Sequence, residues 1–374
     1  MRDPSQHILF VATEFDAPGM RPYARQIINA LWQSGDKVLI VSRYGSDEHI
    51  FPDIPADGIT WIDYPTSLTG KAIFRFYPKR VLKAIDEIIE THSISLIFSL
   101  TEELILSRHI NLLQKRVQVL YTVHDATFHD YKSRSPIRWL KNRLIIARPQ
   151  RLMLERTLTQ VTNSHQQIKL IKERFPYHKV HYFPFPSLVN DDIINGRKTV
   201  DELRGVDDGY ILFFGTLHLY KGVHLLYDAY HDHPELQNRG LVIAGTGSLY
   251  FARRANEGNV TIINRFVDDS ELGDLFGRAS VVVYPYTSAT QSGVTSIASY
   301  FGKPMVLSDL PFFKETCPDR EPGVEFFTHG DANALAQAII RSTGTPATTR
   351  DLYQRLYSPG ALRDALDNIL ASFH

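Results

Sequence analysis

The feature that most constrains this chain is a repeated pairing of a short, nearly uninterrupted apolar run with a stretch of helical periodicity. A first series holds apolar runs at 7–12 (HILFVA), 37–42 (KVLIVS), 95–100 (SLIFSL), 117–123 (VQVLYTV) and 159–163 (TQVTN), with a helix expected over 21–33. A second series holds runs at 210–215 (YILFFG), 240–245 (GLVIAG), 259–264 (NVTIIN), 280–285 (SVVVYP), 304–309 (PMVLSD) and 324–327 (VEFF). Its helices are expected over 221–230, 268–278, 293–301, 331–340 and 359–373. Strands apolar on both faces must be covered on both faces, and alternation with helices implies parallel, doubly wound α/β sheets. Two such series in 374 residues imply two Rossmann-like domains, and two of these facing one another would form a cleft. We expect an N-terminal domain over 1–185 and a linker over 186–205, overlapping the proline-containing polar stretch 180–203 that interrupts the pattern. A C-terminal domain over 206–355 follows, with a last helix over 356–374 placed to pack back on the N-terminal domain.

Composition narrows the class. The single cysteine, Cys317, excludes an intrachain disulfide and a cysteine-based zinc site, which favours a reducing, cytoplasmic setting. No apolar run approaches the roughly 18 residues a membrane span needs. Basic and acidic residues balance at 41 each, yet residues 1–185 carry 25 basic against 18 acidic side chains. That asymmetry points to an anionic partner surface.

Three segments of the second series can carry chemistry. In FFGTLHLYKG (213–222) a strand ends at Gly215 and Thr216, and Lys221 stands at the mouth of the next helix. A lysine there can meet the charge of a diphosphate leaving group, or it can be an ordinary solvated lysine. In LVIAGTGSLY (241–250), Gly245 and Gly247 allow close backbone approach, either to a ligand or to a neighbouring turn. Tyr250 stands where a dinucleotide fingerprint needs its third glycine. In YPYTSATQSGVTSIASYFGKP (284–304), Thr290, Gln291 and Ser292 lead into a helix at Gly293 and Val294. Free N–H groups there would make an anion site, and an N-capped helix is the plainer reading.

In order and spacing these segments resemble the donor-binding domain of retaining glycosyltransferases of family 4, which have the GT-B fold. The likeness spans roughly 210–340, including FVDDSEL (266–272), Ala279-Ser280, PY…QSG (285–293) and FGKP (301–304). It is looser around Gly19, VHD (123–125) and TNSH (162–165). The resemblance implies that Lys221 contacts the donor diphosphate and that Ser292, Gly293 and Val294 bind it through a helix N-terminus. It also implies that Arg265, Phe266 and Val267 lie near the nucleotide base, that Gly19 approaches the sugar or phosphates, and that His124 touches the transferred sugar. A core histidine is the alternative for His124. Where many members have a glutamate pair, this chain has Ala289 and Ile297, and no arginine follows Gly215. The polar loop at 290–292 must then replace part of that work, in a QSG-type variant.

The reaction implied is sugar transfer with retention from a UDP- or GDP-sugar, with the nucleotide sugar as co-substrate. No cofactor or metal is expected, since no Asp-x-Asp pair ends a strand; Asp268-Asp269 suits a helix cap instead. Residues 131–156 hold eight basic side chains and one acid, Glu155. Within them Arg138, Trp139, Lys141 and Arg143 form a basic, aromatic surface, and Arg75, Lys79 and Arg80 form a second. Both suit the inner face of an anionic membrane and a lipid-linked or polysaccharide-precursor glycan acceptor, or are solvated faces over a core stripe. Nucleic acid is not expected as a partner, for want of any matching motif. Competing readings are an epimerase or phosphorylase on the same scaffold, a non-catalytic nucleotide-sugar-binding subunit, and a nicotinamide-dependent oxidoreductase. The last is disfavoured by Tyr250 and by Asn264 where an acid is needed.

Overall fold

The computed structural model describes residues 6–17, 19–126, 142–288, 293–317, 321–343 and 348–373. The chain divides into two compact units, Met1–Pro186 with Pro359–His374, and Ser187–Ser358.

The first unit is built on seven parallel strands, β1 (His7–Ala12), β2 (Lys37–Ser42), β3 (Ile59–Asp63), β4 (Ile94–Ser99), β5 (Gln118–Thr122), β6 (Thr159–Thr162) and β7 (Lys179–Tyr182). Their order is β3-β2-β1-β4-β5-β6-β7, and every pairing is parallel. The order reverses between β1 and β4, which makes the carboxyl ends of those strands the switch point of the sheet. Five consecutive buried residues in β1, Ile8 to Ala12, explain why its sequence reads as one apolar run. The helices of this unit are α1 (Met20–Leu31), α2 (Leu68–Phe76), α3 (Lys79–His92), α4 (Ile110–Leu113), α5 (Arg148–Arg156) and α6 (His165–Arg174). Ser67 and Ser164 cap α2 and α6 by accepting hydrogen bonds from the backbone N–H of Gly70 and Gln167. Pro78 separates α2 from α3, because proline lacks the N–H a continuous helix would need.

The second unit has six parallel strands, β8 (Tyr210–Phe214), β9 (Leu241–Ala244), β10 (Val260–Ile263), β11 (Ala279–Tyr284), β12 (Met305–Ser308) and β13 (Val324–Phe327), in the order β10-β9-β8-β11-β12-β13. Its switch point lies between β8 and β11. Its helices are α7 (Asp191–Asn195), α8 (Val223–Asp232), α9 (Leu272–Gly277), α10 (Val294–Tyr300), α11 (Pro311–Thr316), α12 (Ala332–Thr343) and α13 (Arg350–Leu356).

The stretch read as a linker is folded. Its beginning is β7, paired with β6, and residues 187–205 belong to the second unit. Val189, Ile193, Val200 and Leu203 enter that unit's core, and the Val200 N–H donates to Asp274 at 2.8 Å. The polar residues there serve as caps and turns: Asn190 caps α7 through the Ile193 N–H. A helix α14 (Pro359–Ala371) belongs to the first unit. It buries Leu362, Leu366, Ile369 and Leu370, and Arg363 donates to the carbonyl of Ala30 at 2.7 Å.

Candidate functional site

In the second unit the turns after β8 and β9 run side by side. The Gly215 N–H donates to Ala244 at 3.0 Å and the Leu217 N–H to Thr246 at 2.7 Å, so the parallel ladder continues past the strands. Gly245, at φ 145°, has the carbonyl oxygen of Gly215 only 1.9 Å from where a Cβ would stand. Gly247, at φ 150°, has the Leu217 oxygen at 2.6 Å from that position. The fold itself therefore demands both glycines, independently of any ligand. Thr216 is exposed beside them.

Lys221 closes a short 3-10 turn, Leu219–Lys221, and Gly222 follows in the left-handed region at φ 68°. The Pro285 carbonyl lies 1.8 Å from where a Gly222 Cβ would be, and the Thr287 N–H donates to Tyr220 at 2.8 Å. This close approach brings the end of β11 onto the lysine. Only 8% of Lys221 is exposed. Its ammonium donates to the Tyr286 hydroxyl at 2.6 Å and lies 3.9 Å from that ring's centroid, with the Tyr220 ring at 5.1 Å. Burial pulls the ammonium down to about 8. A buried ammonium held by a neutral hydroxyl and two aromatic rings can accept an anion and regain its full basicity. Tyr286 belongs to the PY…QSG stretch (285–293) that carries the resemblance, directly after β11, but its sequence position gave no sign that it would hold Lys221.

After β10, Arg265 is engaged by Glu202 at 2.7 Å and by Glu271 at 2.8 Å, which lowers both carboxyl groups. Glu271 also closes a capping box with Asp268. Val267 is in the core, so Phe266, 73% exposed, is the side chain of this trio that stands open. Gly293 is buried and precedes α10, whose Ser296 hydroxyl donates back to the Gly293 carbonyl and accepts from the Leu188 N–H. Val294 is half-buried, and its carbonyl accepts from the Tyr284 hydroxyl at 3.0 Å. Thr290, Gln291 and Ser292 lie outside the described residues.

In the first unit His124 stands at the carboxyl end of β5, half-buried, with Nε2 donating to the Leu100 carbonyl at 2.8 Å and its ring edge-on to Tyr23 at 4.8 Å. Desolvation lowers its basicity, so at neutral pH it is an uncharged imidazole oriented by a backbone carbonyl. Gly19, exposed at φ 79°, is the N-cap of α1. A groove of about 770 Å³ is lined by Tyr64, Ile73, Phe74, Tyr77, Lys79 and Arg80 among others. Arg75, grouped with these cations in the sequence, turns inward: 14% exposed, it lies 3.5 Å from the buried carboxylate of Glu14. An arginine that buries its head against a buried acid leaves the surface patch, and only Lys79 and Arg80 remain exposed there. Arg143 is exposed at the start of a π-type turn, while Arg138, Trp139 and Lys141 lie outside the described residues. Among the described residues no cluster of three potential metal ligands occurs, and no helix is long and apolar enough to cross a membrane.

No curated protein matches the chain. Solved structures do. Sucrose-phosphate synthase from Thermosynechococcus elongatus is 20% identical, with 98% of this chain and 99% of that one covered at a TM-score of 0.66. Anabaena HepE in complex with UDP-glucose is 17% identical, covering 98% and 99% at 0.63. The UDP-forming alpha,alpha-trehalose-phosphate synthase from Burkholderia vietnamiensis is 13% identical, covering 98% and 100% at 0.60. At these identities the likeness is one of fold. Residues 208–343 match the family described as glycosyl transferases group 1, and the two parallel-sheet units together match the fold of GT-B glycosyltransferases.

Proposed function

We propose that the protein is a retaining glycosyltransferase that takes a sugar from a nucleotide-diphosphate donor without a metal ion. The observation that carries this reading is Lys221, a buried ammonium at the carboxyl end of β8, inside the region that matches glycosyl transferases group 1. As the bond from the sugar's anomeric carbon to phosphate breaks, the diphosphate leaves with the electron pair and gains charge. A desolvated ammonium meets that charge far better than a hydrated one. The acceptor oxygen forms the new bond to the same carbon, and its proton passes to the departing phosphate or to solvent. Gly293 and Val294 supply further N–H groups to the phosphates in this reading. Gly215, Thr216 and the backbone of Gly245 and Gly247 border the donor in this reading. UDP is the favoured nucleotide because the similar HepE structures hold UDP and UDP-glucose and a similar synthase is UDP-forming.

The acceptor we propose is a lipid-linked or polysaccharide-precursor glycan at the inner face of a membrane. Lys79, Arg80 and Arg143 support it, at roughly 1 kcal/mol per basic side chain near an anionic surface. Sedimentation with anionic vesicles tests this: Lys79→Glu with Arg80→Glu should remove most of the bound fraction, and binding unchanged by the pair would refute it.

A thermal-shift screen with UDP-, GDP- and ADP-sugars tests the donor reading. A donor at about 100 times its dissociation constant should stabilise the protein by about 2.7 kcal/mol. If no nucleotide sugar moves the melting temperature while NAD does, the reading fails. Phe266 would stack on the base, a contact worth about 1–3 kcal/mol. Phe266→Ala should therefore weaken donor binding about tenfold by calorimetry and leave the melting temperature unchanged, because the ring is exposed. Unaltered affinity would remove Phe266 from the site. Nuclear magnetic resonance of the product decides between retention and inversion at the anomeric carbon.

A further inference from the structure

We infer that Glu103 is a positioning residue: its buried carboxyl group ties the turn after β1 to the turn after β4, and so sets where Glu14 and Gly19 stand. This goes beyond the donor chemistry and does not depend on it.

The need arises at the switch point. β1 and β4 are paired as far as the Leu100 N–H, which donates to Val11 at 2.9 Å, and beyond it the two chains part. Backbone N–H groups just past that point have no strand opposite them, and buried N–H groups must find an acceptor. Glu103 provides one. Its side-chain oxygens accept from the Thr13 N–H at 3.2 and 3.3 Å, from the Thr101 N–H at 3.3 Å and from the Thr101 hydroxyl at 2.5 Å. The same hydroxyl accepts from the Glu14 N–H at 3.1 Å, so two successive N–H groups of the turn are held by the Glu103–Thr101 pair. From that anchor the turn continues through Ala17 N–H to the Glu14 carbonyl and Met20 N–H to the Ala17 carbonyl, and Gly19 then starts α1.

Two further observations mark Glu103 as more than filler. It is wholly buried, and it adopts φ 48°, a left-handed conformation that a non-glycine residue holds only under constraint. Its charged surroundings are acidic: Glu14 on the facing turn raises it, while Arg75 from α2 and the Arg43 side chain act on Glu14. Glu102 on its own turn and the Tyr121 hydroxyl from β5 complete the set. Among the described residues no cation acts on it directly, and burial pushes its carboxyl up to about 7, against the pull of the bonds from Thr101 and Thr13. Since the folded value exceeds the unfolded one, its contribution to global stability is full below the usual carboxylate range and is lost as pH rises through 7. Local order runs the other way, because only the ionised carboxylate gives the Thr13 N–H a charge-assisted bond.

Amide hydrogen exchange on the whole protein, corrected for the intrinsic pH dependence of exchange, tests the assignment without any substrate. In the parent protein, protection of the amides of residues 13–17 should fall several-fold between pH 8 and pH 6. Glu103→Gln should show roughly tenfold lower protection there at pH 8, with no pH dependence, while β5 keeps its protection. Thr101→Val should behave like Glu103→Gln and Thr101→Ser like the parent, and this pair decides the matter if the glutamine variant does not fold. Parent-like protection in Glu103→Gln and Thr101→Val, or a loss spread evenly over the first sheet, would overturn the proposal.

Discussion

A Lys221→Met variant should be more stable than the parent protein at pH 7 and should lose most of its response to nucleotide sugars. The lysine is 8% exposed, and burial brings its ammonium down to about 8 from 10.5. Below pH 8 it is charged in both the folded and the unfolded chain, and the folded chain bears the whole desolvation penalty, on the order of 3 kcal/mol. Between pH 8 and 10.5 the folded chain releases the proton first, so the parent gains stability as pH rises through that window. Methionine has nearly the same reach and no charge. Its gain is trimmed by the lost hydrogen bond to Tyr286, about 1 kcal/mol, which leaves a net of about 1–2 kcal/mol at pH 7. Melting curves from pH 7 to 10.5, with and without a UDP-sugar, read both effects at once. A lower melting temperature at pH 7 would mean that the lysine supports the fold; an undiminished ligand shift would mean that it does not meet the donor. A residue that costs stability until its ligand arrives is the pattern expected of a binding group.

Gly245→Ala should be the most damaging glycine substitution of the pair after β9, at about 3 kcal/mol or more. A Cβ there would stand 1.9 Å from the Gly215 carbonyl oxygen and 2.7 Å from its carbonyl carbon. Both are backbone atoms, so no side-chain rotation relieves the clash, and φ 145° adds strain of its own. In a unit of this size such a loss lowers the melting temperature by roughly 6–12 °C. Gly258→Ala is the control. Gly258 also has a positive φ, 61°, but nothing lies within 4 Å of its Cβ position, so only conformational strain of about 1 kcal/mol is expected. Urea denaturation of the two variants compares them directly. Equal losses would mean that the turns after β8 and β9 are not packed against each other as described. The same geometry removes the dinucleotide argument for these glycines: their place is explained by the neighbouring turn.

Much of the fold could be read from the sequence. Continuous apolar runs such as Ile8–Ala12 and Val281–Tyr284 identify strands buried on both faces, and these are β1 and β11. β3 escaped because Thr60 and Asp63 break up its apolar residues, so ITWID shows no continuous run. β7 and the stretch 187–203 escaped because capping residues and prolines look the same in a linker and in a packed connection. The chemistry at the strand ends divides in the same way. Lys221 could be placed from its distance after β8, since a parallel sheet puts the residues following its strands along one edge.

What Lys221 touches was a different question. Tyr286 reaches it from 65 positions away because Gly222 admits the Pro285 carbonyl, and that contact exists only once β8 and β11 are neighbours. The sequence shows Arg75, Arg265 and Glu103 as charges of equal standing. The tertiary structure turns Arg75 toward Glu14, locks Arg265 between Glu202 and Glu271, and closes Glu103 inside the first sheet's switch point. Periodicity is a local property, set by 3.6 or 2 residues per repeat, so a chain displays its strands and helices along its length. Burial and pairing depend on residues far apart in sequence, and they decide which charges stay free to act.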